Sequence, residues 1–343
     1  MIQNKKILAG LLACLVIIIA SISSLISGPM AIPAVQSLLA VLDLISGAQL
    51  NSLNAPQAIV VQELRLPRTL LALFLGALLT MCGAVTQGVF RNPLADPGVI
   101  GVSSGAGLGA ALAIVVFPNS LVFISTPLAA FIGGLLTTLL VYRLAQSSEG
   151  TSVLILLLAG IAISAFTGAV VGFLSFIAND QALRDLTLWG MGSLSGANFR
   201  HVGLTGISCI ILLFFYMKHA NALNALLLGE AEAHHLGIDV ERVKLRLILL
   251  TAAGIGIAVS MAGMIGFIGL VVPHLIRLTL GPDHRYLLPL SALTGAALML
   301  IADIVARQVL APAELPVGLL TALIGAPFFA ALLLQQRRRL SLI

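Results

Sequence analysis

Long uninterrupted apolar runs are the feature that most constrains this 343-residue chain. Examples are the runs 7–26, 70–89, 121–141, 153–178 and 319–334. In a helix, about 20 apolar residues cross the roughly 30 Å of hydrocarbon in a bilayer. The runs are continuous rather than alternating, and backbone groups in lipid must find their partners within their own segment, so the runs predict transmembrane helices. We therefore expect an all-α, polytopic membrane protein.

Composition agrees with a lipid environment. Hydrophobic residues make up 59% of the chain and charged residues only 9%, whereas a soluble domain carries roughly 25% charged residues. The cysteines Cys14, Cys82 and Cys209 lie inside predicted spans without CxxC spacing, which indicates neither a disulfide framework nor a metal site. The net charge of +5 fits Lys and Arg held against an anionic membrane face better than it fits nucleic-acid binding.

The apolar runs predict about ten transmembrane helices. We place them at 6–27, 68–88, 98–117, 121–142, 153–178, 201–217, 243–264, 267–280, 286–310 and 317–335. The first run continues to Ile26, which is too long for the apolar core of a signal peptide and favours an uncleaved span. The eighth span is too short to cross straight, and such a glycine-interrupted helix is tolerated where it lines protein or a cavity.

Charge predicts the orientation of the chain. An even number of spans puts both termini on one side of the membrane. If that side is the cytoplasm, thirteen Lys and Arg residues lie at cytoplasmic ends and five at the opposite ends, the asymmetry of the positive-inside rule. We expect a single transmembrane domain over 1–343 with both termini cytoplasmic. Its outer segment, 28–67, carries an apolar stretch, 34–45, that is too short to cross.

The inner polar segment, 218–242, predicts one or two short amphipathic helices. Glu230 and Glu232 suit the first turn of a helix, where the helix dipole favours negative charge. His234 and His235 suit the last turn for the opposite reason. A helix of this kind on the cytoplasmic face meets either a membrane surface or a partner protein.

Two short motifs imitate enzyme signatures. Segment 101–105 has the G-x-S-x-G spacing of a hydrolase nucleophile, but that motif needs a strand-to-helix turn, so an intramembrane protease using Ser103 and His274 is a minor alternative. Segment 105–110 has the spacing of a dinucleotide-binding loop but follows no predicted strand. The glycines at every fourth position from Gly101 to Gly109 instead predict a stripe that lets another helix approach closely.

Several polar residues lie in or beside the predicted spans. Asp303 and Arg307 are four residues apart and can pair on one helix face, and charges within a span mark function by default. Arg65 and Arg68 are either interfacial anchors or bidentate sockets for carboxylates of an external partner, and Arg307 could join them. The candidates for a translocation path are Ser103, Ser104, His201 and His274, although each histidine is more often a helix-packing residue than a ligand.

No G-x-x-x-x-G-K-[ST] sequence occurs in the chain. If ATP drives this protein, the ATPase is therefore another chain. With no catalytic motif in a suitable structural context, the sequence predicts a protein that moves something across a bilayer, with no catalytic residue, cofactor or metal of its own.

Linked motifs occur in order over nearly all of 60–335. In the N-terminal half they are Arg-Leu-Pro-Arg at 65–68, Arg-Asn-Pro-Leu-Ala-Asp-Pro-Gly at 91–98 and Gly-Val-Ser-Ser-Gly-Ala-Gly at 101–107. In the C-terminal half they are Gly-Glu-Ala at 229–231 with Leu-Gly at 236–237, Gly-Phe-Ile-Gly-Leu-Val-Val-Pro-His at 266–274 and Glu-Leu-Pro-Val-Gly at 314–318. Together they resemble the signature of the iron-chelate and cobalamin permeases, the membrane subunits of type II ABC importers.

The resemblance implies a homodimer in a bacterial inner membrane, with the translocation path along the two-fold axis. Two cytoplasmic ATPase subunits and one periplasmic binding protein complete such a machine. By resemblance, Arg65, Arg68 and Arg307 receive glutamates of the binding protein, and Thr151 and Ser152 form the cytoplasmic gate. Segment 221–237 resembles the coupling helices that dock into the ATPase, through Leu228, Gly229, Glu230, Ala231, His234, His235, Leu236 and Gly237.

The cargo is predicted by two segments. Segments 281–285 and 311–316 look most like those of haem permeases, so haem is the expected cargo, with a ferric siderophore and cobalamin as alternatives. A different class, the ion-coupled secondary transporter, places ionisable residues near the bilayer midplane. The charged residues here lie mostly near span ends, which favours the importer.

Overall fold

Helices form nearly all of the structure, a computed structural model that describes residues 2–117, 119–147 and 150–340. The helices are α1 (Ile2–Ile26), α2 (Ala34–Ser46), α3 (Ala55–Ile59), α4 (Leu66–Val89), α5 (Val102–Val116), α6 (Asn119–Ala145), α7 (Val153–Ile177), α8 (Asp180–Gly190), α9 (Phe199–Lys218), α10 (Ala220–Leu226), α11 (Glu230–His235), α12 (Val240–Ala262), α13 (Ile268–Leu280), α14 (His284–Gln308) and α15 (Val317–Leu340). A π-helical segment, Val60–Arg65, joins α3 to α4, and a 3-10 turn covers Pro97–Ile100. The two-residue strands β1 (Gln146–Ser147) and β2 (Gly150–Thr151) pair in antiparallel fashion.

All ten predicted spans are helices: α1, α4, α5, α6, α7, α9, α12, α13, α14 and α15. By length and composition, seven described helical stretches are able to cross a membrane, with α3, the π-helical segment and α4 counted as one. The other three predicted spans contain shorter apolar stretches, at 102–116, 268–280 and 317–331. The predicted all-α polytopic fold class is confirmed, and the short eighth span is the 13-residue α13.

Helix α4 lies at the centre of the bundle. All but five of its 24 residues are buried, and it packs against α9, α12, α13 and α14. Small residues permit this crowding. A Cβ atom at Gly76 would overlap the backbone carbonyl of Gly295 on α14, and one at Gly83 would overlap the carbonyl of Gly269 on α13. Without a hydrophobic driving force between helices in lipid, such close backbone contact is a main source of helix association.

The predicted glycine stripe on α5 faces α6. A Cβ atom at Gly105 would overlap the carbonyl of Gly133, and one at Gly109 would overlap the carbonyl of Ala129. The stripe therefore works as expected, because it lets the two backbones approach. Gly101, which precedes α5, has a left-handed φ of 82°, a conformation that glycine adopts without a steric cost.

Helices α4 and α14 run in opposite directions and define two ends of the bundle. Arg68, near the start of α4, pairs with Asp303, near the end of α14. At the other end, Gly88 faces Leu223 of α10 and His284, the first residue of α14. Helices of this length measure about 36 Å at 1.5 Å per residue, enough to cross the hydrocarbon core. We call these ends the arginine end and the short-helix end.

The segment predicted to connect the first two spans holds more helix than expected. The second span was predicted to begin at residue 68, but the helix begins at Ala55 and continues without a break into α4. Asn54 starts it: its side chain accepts a hydrogen bond from the backbone N–H of Gln57 at 3.0 Å, and the Gln57 side chain returns to the Asn54 N–H in a capping box. The apolar stretch 34–45 forms most of α2.

The contact between α4 and α13 generates a first prediction. We expect Gly83→Ala to lower the apparent free energy of unfolding by about 1–3 kcal/mol, the usual cost of overpacking, because the new methyl group meets the Gly269 carbonyl. Thermal unfolding of the detergent-purified protein, followed by fluorescence of the single tryptophan, measures the change. The control is Gly107→Ala on α5, whose new Cβ has no atom within 4 Å. An unchanged midpoint for Gly83→Ala would contradict the close contact.

Candidate functional site

The arginine end is built around the last carbonyl groups of α1. Arg65 donates from Nη1 to the carbonyl oxygens of Leu25 at 3.0 Å and Ile26 at 3.1 Å. Arg307 donates from Nη1 to the carbonyl oxygen of Ser24 at 3.2 Å. The final carbonyls of a helix lack partners within it and carry partial negative charge. Two guanidinium groups therefore cap α1, which is the physical reason that both are buried.

Carboxylates balance most of the charge at this end. Arg68 pairs through Nη2 with Asp303 Oδ1 at 2.9 Å and through Nη1 with Glu314 Oε2 at 2.6 Å. Asp303 also pairs with Nε of Arg307 at 3.1 Å, which confirms the pair predicted from their spacing. In the part of the chain that the structure describes, Arg65 forms no ion pair. Three guanidinium groups against two carboxylates leave one positive charge in excess.

A cavity of about 330 Å³ opens onto this arginine cluster, which we define as Arg65, Arg68 and Arg307. All three arginines contribute to its wall, together with Ser195 and Glu314. The structure thus brings together the three arginines that the sequence singled out. Each of them already bonds within the chain. Their role as receivers of external carboxylates remains a prediction, which the excess positive charge on the cavity wall favours.

The short-helix end contains two short helices, α10 and α11, as predicted. Glu230 and Glu232 lie in the first turn of α11, and His234 and His235 lie in its last turn. This arrangement matches the favourable charge at each end of the helix dipole. The pattern of charged residues, read along the sequence, was therefore enough to locate the helix.

Exposed leucines flank α11. Leu228 and Leu236 expose 69% and 64% of their surface, while Ala233 between them is fully buried. Gly229 and Gly237 frame the helix with φ values of 139° and 80°, which favour glycine. The predicted ATPase-contacting residues thus combine two exposed apolar side chains with a charged helix.

Helix α10 is fixed to the start of α14. Asn224 donates from Nδ2 to Asp283 Oδ1 at 2.7 Å, and its Oδ1 accepts from the backbone N–H of His284 at 2.8 Å. The side-chain hydrogen bonds from Arg285 hold the pKa of Asp283 well below its usual value. The carboxylate therefore stays charged, and the short helices are attached to the long bundle.

A buried lysine links three elements at the same end. Glu241 Oε2 accepts from the Thr151 hydroxyl at 2.6 Å and from the Thr151 N–H at 3.0 Å. Lys244, which is 1% exposed, donates to Glu230 at 2.5 Å, to Glu241 at 3.3 Å and to the Thr151 carbonyl at 3.4 Å. Ser152 caps the start of α7 with its hydroxyl. Thr151, predicted to form the gate, and Glu230, predicted to contact the ATPase, thus meet at one ammonium group.

The four candidates for a translocation path do not share one cavity. Ser103 lines a cavity of about 210 Å³, whereas His201 lines a second one of about 420 Å³. Ser104 contacts Ser164 of α7 at 3.1 Å between their hydroxyl oxygens. His274 is buried on α13. Two of the four therefore face open space, and two lie among packed helices.

Asp96 contributes a carboxyl group to the cavity that Ser103 lines. Its Oδ1 accepts from the N–H of Gly98 at 2.7 Å, and burial raises the pKa of Asp96 above its usual value. Within the described ranges, no three His, Cys, Asp or Glu side chains come together as a set able to hold a metal ion. Asp96 and Ser103 thus place polar groups on the wall of this cavity.

Three charged residues that the structure makes central, Glu241, Lys244 and Glu314, were assigned no role from the sequence. Lys244 and Glu241 are three residues apart at the start of a predicted span, and a charge in that position was a usable signal. Glu314 was visible only as part of a motif. No local pattern indicates that it meets Arg68, 246 positions earlier in the chain.

The chain is similar to known membrane transport proteins over most of its length. The model of the FecCD transport family matches residues 9–335. The chain is 50% identical over 282 residues to the hemin transport system permease protein HmuU of Yersinia pestis, covering 81% of this chain and 84% of that protein. It is 44% identical over 281 residues to the cobalamin import system permease protein BtuC of Halobacterium salinarum, covering 82% and 75%. A solved structure described as a metal-chelate-type ABC transporter in an inward-facing conformation gives a TM-score of 0.80 at 34% identity, covering 95% of this chain and 98% of that one.

Ten apolar helices with polar clusters at both ends define a multi-pass membrane permease. The chain belongs to the FecCD transport family. The resemblance to iron-chelate and cobalamin permeases, predicted from the linked motifs, is confirmed.

The buried ion pairs generate a second prediction. We expect Asp303→Asn to lower the apparent free energy of unfolding by about 3–5 kcal/mol, because it leaves buried guanidinium charge without its partner. Glu314→Gln is the matched control: its carboxylate is 34% exposed, and the loss should stay below about 1 kcal/mol. Thermal unfolding in detergent measures both. Equal losses would contradict the view that Asp303 anchors the arginine cluster.

Proposed function

We propose that this chain is the channel-forming permease subunit of an ATP-driven importer for an iron chelate, with haem as the cargo. The observation that carries the proposal is the 50% identity to the hemin permease of Yersinia pestis over 81% of this chain. A permease of this kind makes and breaks no covalent bond, so ATP hydrolysis belongs to a separate subunit.

The proposed assembly uses both ends of the bundle. Two copies of the chain enclose a path along their two-fold axis in a bacterial inner membrane. A periplasmic binding protein docks at the arginine end, where the excess positive charge attracts its carboxylates. Two cytoplasmic ATPase subunits dock on 221–237, where the exposed Leu228 and Leu236 supply apolar contacts. Both termini then lie in the cytoplasm, as the positive-inside rule predicts.

Transport proceeds by alternating access. ATP closes the ATPase dimer, the docked short helices shift, and the long helices move between two packed arrangements. The gate at Thr151 and Ser152 opens in only one of them. Each partner shifts the equilibrium because it binds one arrangement better than the other.

Other cargoes and another class compete with haem import. The 44% identity to a cobalamin permease supports cobalamin as the second candidate, and a ferric siderophore is a further alternative. An ion-coupled transporter needs ionisable groups near the midplane. Among the described residues, the buried Lys244, Asp303 and Arg307 lie within the first or last six residues of their helices, which favours the importer.

The deciding experiment is ATP hydrolysis by the chain reconstituted in nanodiscs with its ATPase. The binding protein is added empty, or loaded with haem, cobalamin or a ferric siderophore. We expect the haem-loaded protein to stimulate hydrolysis most. Stimulation by another loaded form would keep the mechanism and replace the cargo. Failure to form a complex with any ATPase, together with transport driven only by an ion gradient, would overturn the proposal.

Docking at the arginine end gives a third prediction. We expect Arg65→Gln to weaken the affinity of the binding protein by about 30-fold or more. Arg65 forms no ion pair among the described residues, and losing one partner of a desolvated charge pair costs roughly 2–5 kcal/mol. Arg200→Gln is the control, since Arg200 is exposed near the same end at the start of α9. Binding to immobilised nanodiscs measures both, with thermal unfolding as a check on folding. Equal affinities for the two variants would argue against docking through the cluster.

A further inference from the structure

We infer that Lys244 is a positioning residue that transmits movement of α11 to the gate at Thr151. This inference rests on the proposed function, because it needs an ATPase that moves α11 and a gate that responds. The sequence motifs do not indicate which side chain connects α11 to the gate, and Lys244 is that side chain in this inference. Its basis is the convergence of α11, α12 and the β1–β2 hairpin on one ammonium group.

Each of the three N–H groups of the Lys244 ammonium has an acceptor within the chain. A lysine side chain has three N–H donors and no acceptor. Its three partners come from three elements: Glu230 from α11, Glu241 from α12 and the Thr151 carbonyl from β2. The side chain is 2% exposed, so water cannot readily replace a partner that leaves.

The distances divide the network into two tight pairs. Lys244 and Glu230 are 2.5 Å apart, and the Thr151 hydroxyl and Glu241 are 2.6 Å apart. The links between the pairs are longer, at 3.3 Å from Lys244 to Glu241 and 3.4 Å from Lys244 to the Thr151 carbonyl. A displacement of α11 therefore carries the ammonium with it and acts on the two longer bonds.

The β1–β2 hairpin packs closely against the carboxylate of Glu241. Gly150 has a φ of 112°, and a Cβ atom there would lie 3.1 Å from Glu241 Oε1. Glu241 also binds both the N–H and the hydroxyl of Thr151. Thr151 is buried, so the hairpin cannot turn freely in solvent. When the links to Lys244 change, the position of Thr151 changes with them.

Because the ammonium group of Lys244 is buried, separating it from Glu230 is unfavourable. If α11 withdraws Glu230 alone, the ammonium loses its closest counter-charge in a place that water barely reaches, which is unfavourable. The arrangements in which Glu230 and Lys244 move together are therefore preferred. A Glu230–Lys244 pair that stays together while its links to Glu241 and Thr151 change is a physical connection of the kind that coupling between distant sites requires.

The experiment measures ATP hydrolysed per haem imported by the complete transporter in proteoliposomes, with haem-loaded binding protein. We expect Lys244→Met, which lies outside the docking segment 221–237, to raise this ratio by about 2- to 30-fold, the range for residues on a coupling route, while ATPase binding is retained. Glu230→Gln lies inside that segment, and we expect a similar rise in complexes purified with the ATPase bound. Lys244→Arg, which keeps the charge and the donors, should stay near the wild-type ratio. The control is Arg246→Met, which removes an exposed cation two residues away on α12.

The outcomes separate the two proposals. A wild-type complex that imports no haem with ATP overturns the proposed function and the inference together. A wild type that imports haem, with ratios unchanged in Lys244→Met and Glu230→Gln, overturns the inference alone. A structural role alone would lower assembly and leave the ratio of the assembled complex unchanged. If Lys244→Met does not assemble, the inference is tested by Glu230→Gln alone. The Glu230 side chain is 36% exposed, so this substitution should not prevent folding.

Discussion

A charge removed from water needs a partner, and this requirement organises both ends of the molecule. At the arginine end, the carbonyls of α1 and the carboxylates of Asp303 and Glu314 surround three guanidinium groups. At the short-helix end, two glutamates and a carbonyl surround Lys244. Between the ends, contacts of small residues hold the long helices together. Lipid permits few other arrangements, because it offers neither water nor counter-ions.

The two ends differ in the kind of rigidity that their charges provide. In the arginine cluster, Asp303 is fully buried and forms ion pairs with both Arg68 and Arg307. The cluster therefore holds α1, α4 and α14 in fixed relative positions. Around Lys244, both glutamates are partly exposed, so a partner protein can reach them. The proposed importer would receive its binding protein at the rigid cluster and the movement of its ATPase at the accessible one.

The sequence was sufficient for the ten spans and insufficient for helices outside them, such as α3 and α8, and for the tertiary partners. Hydropathy located all ten spans, because lipid selects for length and apolar character. It missed the helix over 55–67, whose polar residues and prolines hide a capping box that begins at Asn54. The pairing of Asp303 with Arg307 followed from a spacing of four, which is local. No local spacing predicts the pairs of Arg68 with Glu314 and of Thr151 with Glu241. These residues are 246 and 90 positions apart and meet only through the packing of the whole bundle.

The capping of α1 has a consequence for how the chain is made. Its terminal carbonyls bind Arg307, which is synthesised about 280 residues later. Arg65 can bind the carbonyls of Leu25 and Ile26 as soon as the second span is in place, whereas the carbonyl of Ser24 lacks its arginine partner until Arg307 is made. The arginine cluster closes only after α14 arrives. The cluster therefore forms only when the end of the ninth span lies on the same side of the membrane as the end of the first.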